Sequence, residues 1–507
     1  MALINSRYKR RIVSVSTPAL LIALVVSPGA SLPAAAATAD GKPFQQVRDE
    51  EFRELADQIQ RAKGVRADWR QRLAEEALDR QAIIRPEDRD PLDVVLRRTA
   101  ALLDHCKQRG WVPRTRQAAW DAELTELRAA QAAESAPGAR RAVFDRICQL
   151  RRQVVMANPL LDFDSIACML EQPGNARIIE QARAVWPGHS RGGGPLIVRD
   201  FKTRPEVVKP LDGVKVSSGP WSGKELAGKF SGLELSYDAR QLLFAATTYT
   251  DIWRLFAFDL ASRRLVQLTE GPFDDFDPCL LPSGRIVFTS TRRCGVGRCV
   301  LTPESKTYTL YSMEPDGSDI VPLSFHETNE WQPSVSHEGK IVYTRWDYVD
   351  RHWGTAHHLW ECYPDGRDPR NLHGNYPLPQ SATTADAQPE QYGSKAFVYG
   401  RLLRPDVEIG FRAVPGSGKY AATAVGHHEG FSGSLVLVDP RVVDDGRMSQ
   451  VKRITPEYYF PEVEPGAIHA YATPWPLSED FHLCNFFTGL YLLDRFGNRE
   501  VLYTTNP

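Results

Sequence analysis

Apolar residues follow two different periods along this chain, and the change of period divides it. Between about Phe44 and Met169 they recur at three- and four-residue spacing in a background of Ala, Arg, Glu and Leu, as on helices with one buried face. In "DPLDVVLRRTAALLDHC", Asp90 stands where a helix cap belongs and Pro91 at the first helical position, while Leu92, Val95, Leu96, Thr99, Leu102 and Leu103 form one stripe. "ARRAVFDRICQLRRQVVMA" repeats the pattern until Asn158 and Pro159 stop it. A helical domain over residues 44–170 is expected, its charges lying on solvated faces.

Past "GHSRGGGPLIV" the helical period is lost, and residues 171–230 read as a linker that also holds the first strands of a β-rich domain. Gly192 to Gly194 are followed by no helix, so they read as linker rather than as a phosphate loop. From residue 231 to residue 507 a strand-turn-strand pattern recurs. It appears as "LELSYDARQLLFAA", "FDPCLLPSGRIVFTST", "WQPSVSHEGKIVYTRW", "IGFRAVPGSGKYAATAV" and "YATPWPLSEDFHLCNFF", each followed by a second hairpin such as "YTLYSMEPDGSDIVPLS". Asp316-Gly317 and Asp365-Gly366 are strong hairpin signals. Four-stranded units of about 40 residues read as propeller blades, because one such sheet cannot cover both of its faces and must stack around an axis. The expected fold is therefore mainly β: a propeller of five to six blades, incomplete at one end or closed by N-terminal strands, after an α-helical N-terminal domain.

Charge changes this picture little. With 62 basic and 63 acidic residues the net charge is -1, which gives the whole chain no attraction for nucleic acid, and none is expected as a partner. The first 39 residues matter more. A basic "RYKRR", the apolar "PALLIALVV" and a run of small residues form a secretory leader, with cleavage expected after Ala39. The apolar run is shorter than the roughly 20 residues of a spanning helix, so an exported, periplasmic or extracellular protein with no stable membrane span after cleavage is expected. Eight cysteines include no C-x-x-C pair, which excludes the C-x-x-C-H attachment site of c-type haem and the zinc-ribbon knuckle.

With strands lettered a to d from the axis outward, the a-b and c-d turns share one end of the ring and are short: "PSG", "SHEG", "PDGS", "PDGR". The b-c and d-a connections share the other end and carry the insertions, and long loops on a rigid frame are where binding groups gather. His326, Glu327 and Glu330 fall on that end. So do Asp347, Asp350, His352, His357 and His358, then His427, His428 and Glu429, and, one blade earlier, Arg292, Arg293, Cys294, Arg298 and Cys299. His326-Glu327 opens an H-E-x-x pattern, but Glu330 stands where a zincin places its second histidine, and a turn before a strand replaces the helix that motif needs. Two readings stay open. His326, Glu330, His357, His358, His427, His428 and Cys299 are candidate ligands for a transition metal assembled across blades, or they are corner residues that bond one blade to the next. Cys294 and Cys299 read either as a loop-closing disulfide or as a thiol that attaches or ligates a cofactor. Trp346, Asp347, Asp350, Arg351 and Trp353 are the candidate contacts for a small-molecule or protein ligand, and Trp331 and Trp360 add stacking surfaces for a glycan or peptide. No G-x-S-x-G nucleophile motif is present.

"LSFHETNEWQPSVSHEGKIVYTRWDYVDR", "HHLWECYPDGRDPR", "GSLVLVDPR", "TPWPLSEDF", "GLYLLDRFGNRE" and, upstream, "NPLLDFD" resemble the middle domain of the hydrazine synthase alpha subunit and its relatives among TolB-like and WD40-like propellers. The resemblance spans roughly Asn158 to Thr505. It implies the propeller fold and export. It does not carry over the haem chemistry of hydrazine synthase, because the attachment motif is missing from these residues. A binding or scaffold protein without catalytic activity of its own is expected first. A subunit of a metal- or redox-dependent periplasmic enzyme is the alternative, and a glycan or peptide binder a further one.

Overall fold

The computed structural model describes residues 19–25, 44–171, 191–248, 250–297, 306–347, 357–374, 404–405, 407–427, 430–444, 448–464 and 466–504. Among the described residues, five α-helices follow the single strand Ala19–Val25: α1 (Phe44–Lys63), α2 (Ala67–Glu76), α3 (Pro91–Gln108), α4 (Arg114–Ala133) and α5 (Pro137–Met156). Asp90 caps α3 as its position predicts, its carboxylate accepting the Leu92 N–H at 3.1 Å. The stripe Leu92, Val95, Leu96, Leu102 and Leu103 is buried.

Six sheets of four strands succeed one another around an axis. Blade 1 combines Ala19–Val25 with Ser165–Glu171, Gly193–Arg199 and Glu206–Val208. Blade 2 runs from Phe230–Leu235 to Leu265–Gln267, with Val216–Ser218 added in parallel at its outer edge. Blades 3, 4, 5 and 6 begin at Asp275–Leu280, Asn329–Val335, Val407–Ala413 and Tyr471–Pro476. Each innermost strand packs on the next, and that of blade 1 packs on those of blades 2 and 6, so the ring closes. Every blade-to-blade interface has its own apolar cluster: Phe244 and Phe256 with Met169 between blades 1 and 2, for example, and Leu359 with Phe411 and Val436 between blades 4 and 5. Burial of side chains of this size is worth about 1.5–3 kcal/mol each and supplies the stacking force.

The interface between blades 6 and 1 is different, because the helices share it. One continuous core joins Leu102, Phe144, Ile147 and Leu150 to Ile166, Val198 and Phe201 of the blade 1 region and to Phe481, Leu490 and Leu502 of blade 6. Residues 165–171, inside the stretch whose composition reads as helical, form a strand instead: pairing with Gly193–Arg199 on one side and Ala19–Val25 on the other decides their conformation. The apolar part of the leader-like segment thus lies antiparallel to Ser165–Glu171, from Ala19 opposite Glu171 to Val25 opposite Ser165. No helix among the described residues is long and apolar enough to cross a membrane.

The five innermost strands after the first share a bulge. The register slips between Ser231 and Leu233, Phe276 and Cys279, Trp331 and Ser334, Ile409 and Arg412, and Ala472 and Trp475. At each slip one residue takes positive φ: Gly232, Asp277, Gln332, Gly410 and Thr473. Non-glycine residues enter this region rarely, so its recurrence blade after blade marks a built feature that bends every inner strand at the same height. Just past the bulge, Arg412 of blade 5 reaches Glu234 of blade 2 at 3.4 Å, spanning the axis between opposite blades.

Candidate functional site

The ends of the strands on the long-loop face hold the candidate histidines in three separate groups. In the first, Glu330 is the second residue of the inner strand of blade 4 and is fully buried. Its carboxylate accepts the Leu310 N–H at 3.2 Å and the Ser324 hydroxyl at 2.5 Å, both from blade 3, and meets His326 Nε2 at 2.5 Å. The Thr328 N–H donates to His326 Nδ1 at 3.1 Å, so the proton sits on Nε2 and points at Glu330. Asn329 completes the corner by accepting the Tyr308 N–H at 2.9 Å. H-E-x-x here ties blade 3 to blade 4.

His357 and His358 open the third strand of blade 4, His357–Cys362, rather than lying in the loop before it. Successive residues of a strand diverge, and the two imidazoles accordingly find different partners. His357 lies against Trp346, ring centroids 4.7 Å apart, and near Trp331 at 5.6 Å, while His427 of blade 5 approaches it with Nδ1 3.1 Å from His357 Nε2. Here the blades come so close that His357 forms a parallel backbone bridge with Val407.

His358 belongs to the third group, with His373 and Glu408. Sequence reasoning missed both partners. Glu408 is the second residue of the inner strand of blade 5, a carboxylate at a fully buried position, and His373 lies just beyond the outermost strand of blade 4. Their donor atoms lie within 4.8 Å of one another. His358 Nδ1 meets one Glu408 oxygen at 2.5 Å and His373 Nε2 meets the other at 3.1 Å. His373 Nδ1 is 2.6 Å from Gln450 Oε1, and Arg404 Nη2 is 3.4 Å from His358 Nε2. Burial works against charge on all three. It pushes His358 down to about 4 although Glu408 is adjacent. Burial also opposes the His373 cation, but Glu408 and the Gln450 hydrogen bond overcome it and hold that imidazole above its ordinary value. The two imidazoles likewise outweigh burial at Glu408 and keep its carboxyl well below the usual range. The arrangement favours a neutral His358 and an anionic Glu408, with His373 the imidazole on which a proton is better held.

This donor set can be tested for metal binding by asking where the protons are. A ligating histidine normally donates its outer N–H to an acceptor. His373 meets that condition through Gln450. His358 does not: its outer nitrogen faces a guanidinium, which can only donate, so its proton resides on Nδ1, the atom directed at Glu408. The geometry fits a hydrogen-bonded network, Arg404 to His358 to Glu408 on one side and His373 to both Gln450 and Glu408 on the other, better than it fits a coordination sphere.

Of the other candidates, Cys299, His428, Asp350, Arg351 and Trp353 lie outside the described residues. Asp347 is buried and accepts from Arg345 Nε at 2.8 Å. Trp346 is 1% exposed, so its ring is part of the wall around His357. Trp360 carries the Arg345 guanidinium 4.3 Å above its ring. Cys294 is exposed, and because Cys299 falls outside the described residues neither of its two readings, disulfide or thiol, is decided.

No family model and no curated protein matches this chain. Among solved structures it is similar to hydrazine synthase from Kuenenia stuttgartiensis, at 13% identity over 65% of this chain and 43% of that one, with a TM-score of 0.44. TolB from Acinetobacter baumannii is similar at 10% identity over 72% and 69% of the two chains (TM-score 0.38), and the tricorn protease at 9% over 67% and 30% (TM-score 0.34). The likeness is distant and is one of propeller fold alone. This chain spans less than half of the hydrazine synthase chain it matches.

Proposed function

We propose that this protein is an exported propeller that binds a protein or small-molecule partner on its long-loop face and has no catalytic activity of its own. One observation carries the reading: among the described residues, His326, Glu330, His357, His358 and His427 of the rim that sequence spacing offers are engaged with one another, with Glu408 and with backbone groups at the blade seams. Groups held in this way rigidify a frame. The partner would then be recognised by the long connections that the frame supports, as the second strand of blade 4 ends at Trp346 and the third begins at His357.

A metal-dependent reading is favoured by one fact, the closeness of the His358, His373 and Glu408 donor atoms. Metal analysis of the purified protein separates the two. The frame reading predicts no stoichiometric transition metal, and melting temperatures for the protein and its His373→Ala variant that respond to neither a chelator nor added zinc. Stoichiometric metal, lost in both His358→Ala and His373→Ala, would overturn it.

A further inference from the structure

A concave site of about 810 Å³ opens where α1, α4 and α5 meet the turn after Gly193–Arg199, well away in sequence from the blade 4 and 5 histidines. Four of its lining residues are cations, Arg48, Arg116, Arg152 and Lys202; Gln149 and Gln153 add amides, and no lining residue is acidic. Elsewhere in the helical region several arginines are paired with carboxylates, among them Arg140 with Asp90 and Asp93, Arg141 with Asp145, and Arg151 with Glu51 and Glu500. In this cavity such pairing is sparse.

Neither Arg48 nor Arg116 makes an ion pair with any described residue, and Arg116 lies only against the Trp120 ring, 5.9 Å from its centroid. Arg152 is held in place chiefly by backbone carbonyls, those of Val501 at 3.0 Å and of Phe201 and Lys202 at 3.3 Å, with its guanidinium 4.4 Å over the Phe44 ring. Its one carboxylate neighbour, Glu500 at 3.5 Å, is bonded more closely by Arg151 at 2.6 Å. Lys202 Nζ donates to the Leu161 carbonyl. Positive charge is thus gathered in one hollow with little carboxylate to neutralise it, and Arg48 and Arg152 repel each other. Such an arrangement raises the energy of the empty site and is relieved by an anion that meets several cations at once.

We propose that this cavity binds a multivalent oxyanion of the phosphate class, a di- or oligophosphate group free or carried on a small molecule. The guanidinium forks of Arg48 and Arg116 can each meet two phosphate oxygens, and Arg152 and Lys202 add positive charge beside them. The volume lies within the few hundred to about 1,000 Å³ typical of small-molecule sites. The first turn of α4, which has no acidic residue and no capping side chain, faces the same hollow at Pro113 and adds to the field.

Titration calorimetry of the full chain with pyrophosphate, at about 50 mM salt, tests this. Micromolar binding that weakens as salt rises is expected, with orthophosphate weaker. Arg48→Ala and Arg116→Ala should each reduce affinity about tenfold or more and leave the melting temperature unchanged, because neither side chain holds a structural bond. Arg128→Ala, a cation elsewhere on α4, should change nothing. No binding at millimolar pyrophosphate, or an equal loss in the Arg128 variant, would overturn the site. Citrate binding as tightly as pyrophosphate would overturn the phosphate assignment.

Discussion

The seam joining the helices to blade 6 and the seam joining blade 4 to blade 5 are both buried and both charged, but they are built from different ionisable groups. On the helical side, Arg151 of α5 lies between Glu51 of α1 and Glu500 of blade 6 at 2.7 and 2.6 Å, and Arg499 of blade 6 meets Glu54 of α1 at 2.6 Å. Guanidinium stays charged at any pH a protein meets, so these joints have one state above the carboxylate range. Between blades 4 and 5 the same work is done by His358, Glu408 and His373, two of them imidazoles, which unlike guanidinium can gain or lose a proton. One seam is a fixed weld and the other is a joint whose strength depends on pH.

The largest expected effect is at the weld. Arg151→Met leaves Glu51 and Glu500 buried without their main counter-charge, and loss of one partner of a buried network costs about 3–5 kcal/mol. Chemical denaturation at pH 7 measures it. A cost under about 1 kcal/mol would show that the helices are held by their apolar core alone. Burial weighs against the Arg151 charge, yet Glu51 and Glu500 hold it well above its ordinary range, so the cost should be the same from pH 6 to pH 9.

The joint should behave otherwise. His358 titrates at 6.5 in the unfolded chain and at about 4 in the folded one, because burial disfavours its cation. Above pH 6.5 it contributes nothing to pH dependence; between 6.5 and 4 the unfolded state takes up a proton that the folded state refuses, and stability falls by an amount on the order of 3 kcal/mol. His482 of blade 6, fully buried with neither ring nitrogen bonded, is also pushed down to about 4 and falls in the same window. His373 has the opposite sign: held above its ordinary value, it contributes stability that is complete below that value and is lost as pH rises through the folded one. Stability measured from pH 4 to pH 9 should therefore pass through a maximum. His482→Leu should flatten the acid limb, and Glu408→Gln, which removes the anion between the two imidazoles, should cost about 2 kcal/mol near pH 7 and weaken the alkaline limb. An unchanged profile in the Glu408 variant would remove the joint from the comparison.

Much of the frame was legible in the sequence because period-2 runs and Asp-Gly turns are local signals, and stacking is forced by the inability of one blade to cover itself. The joint was not, for a physical reason. Glu408 and His373 are single polar residues at the ends of strands, and nothing local distinguishes a buried carboxylate from an exposed one; only the approach of blade 5 to blade 4 makes them partners of His358. His326 and Glu330 were visible as a pair, yet their chemistry depended on Ser324 and Leu310 of the preceding blade. The left-handed bulge residues Asp277, Gln332 and Thr473 each stand directly before a proline, a mark that by itself predicts extended backbone rather than positive φ.

Blade 1 gives the finest test of where the weld ends, because its innermost strand, Ala19–Val25, comes from outside the repeat and from the segment that reads as a leader. Export with cleavage after Ala39 would remove it. Ser165–Glu171 would keep its ladder to Gly193–Arg199, and Ile166 and Cys168 their places in the core shared with the helices. The effect should then be local: about half of the amides in residues 165–171 point toward the departing strand and lose protection, while the rest do not. Hydrogen exchange on processed and unprocessed protein reads this directly. Equal exchange at every one of these amides would show that the segment does not belong to the sheet, and exchange raised across the helices as well would show that the weld depends on it.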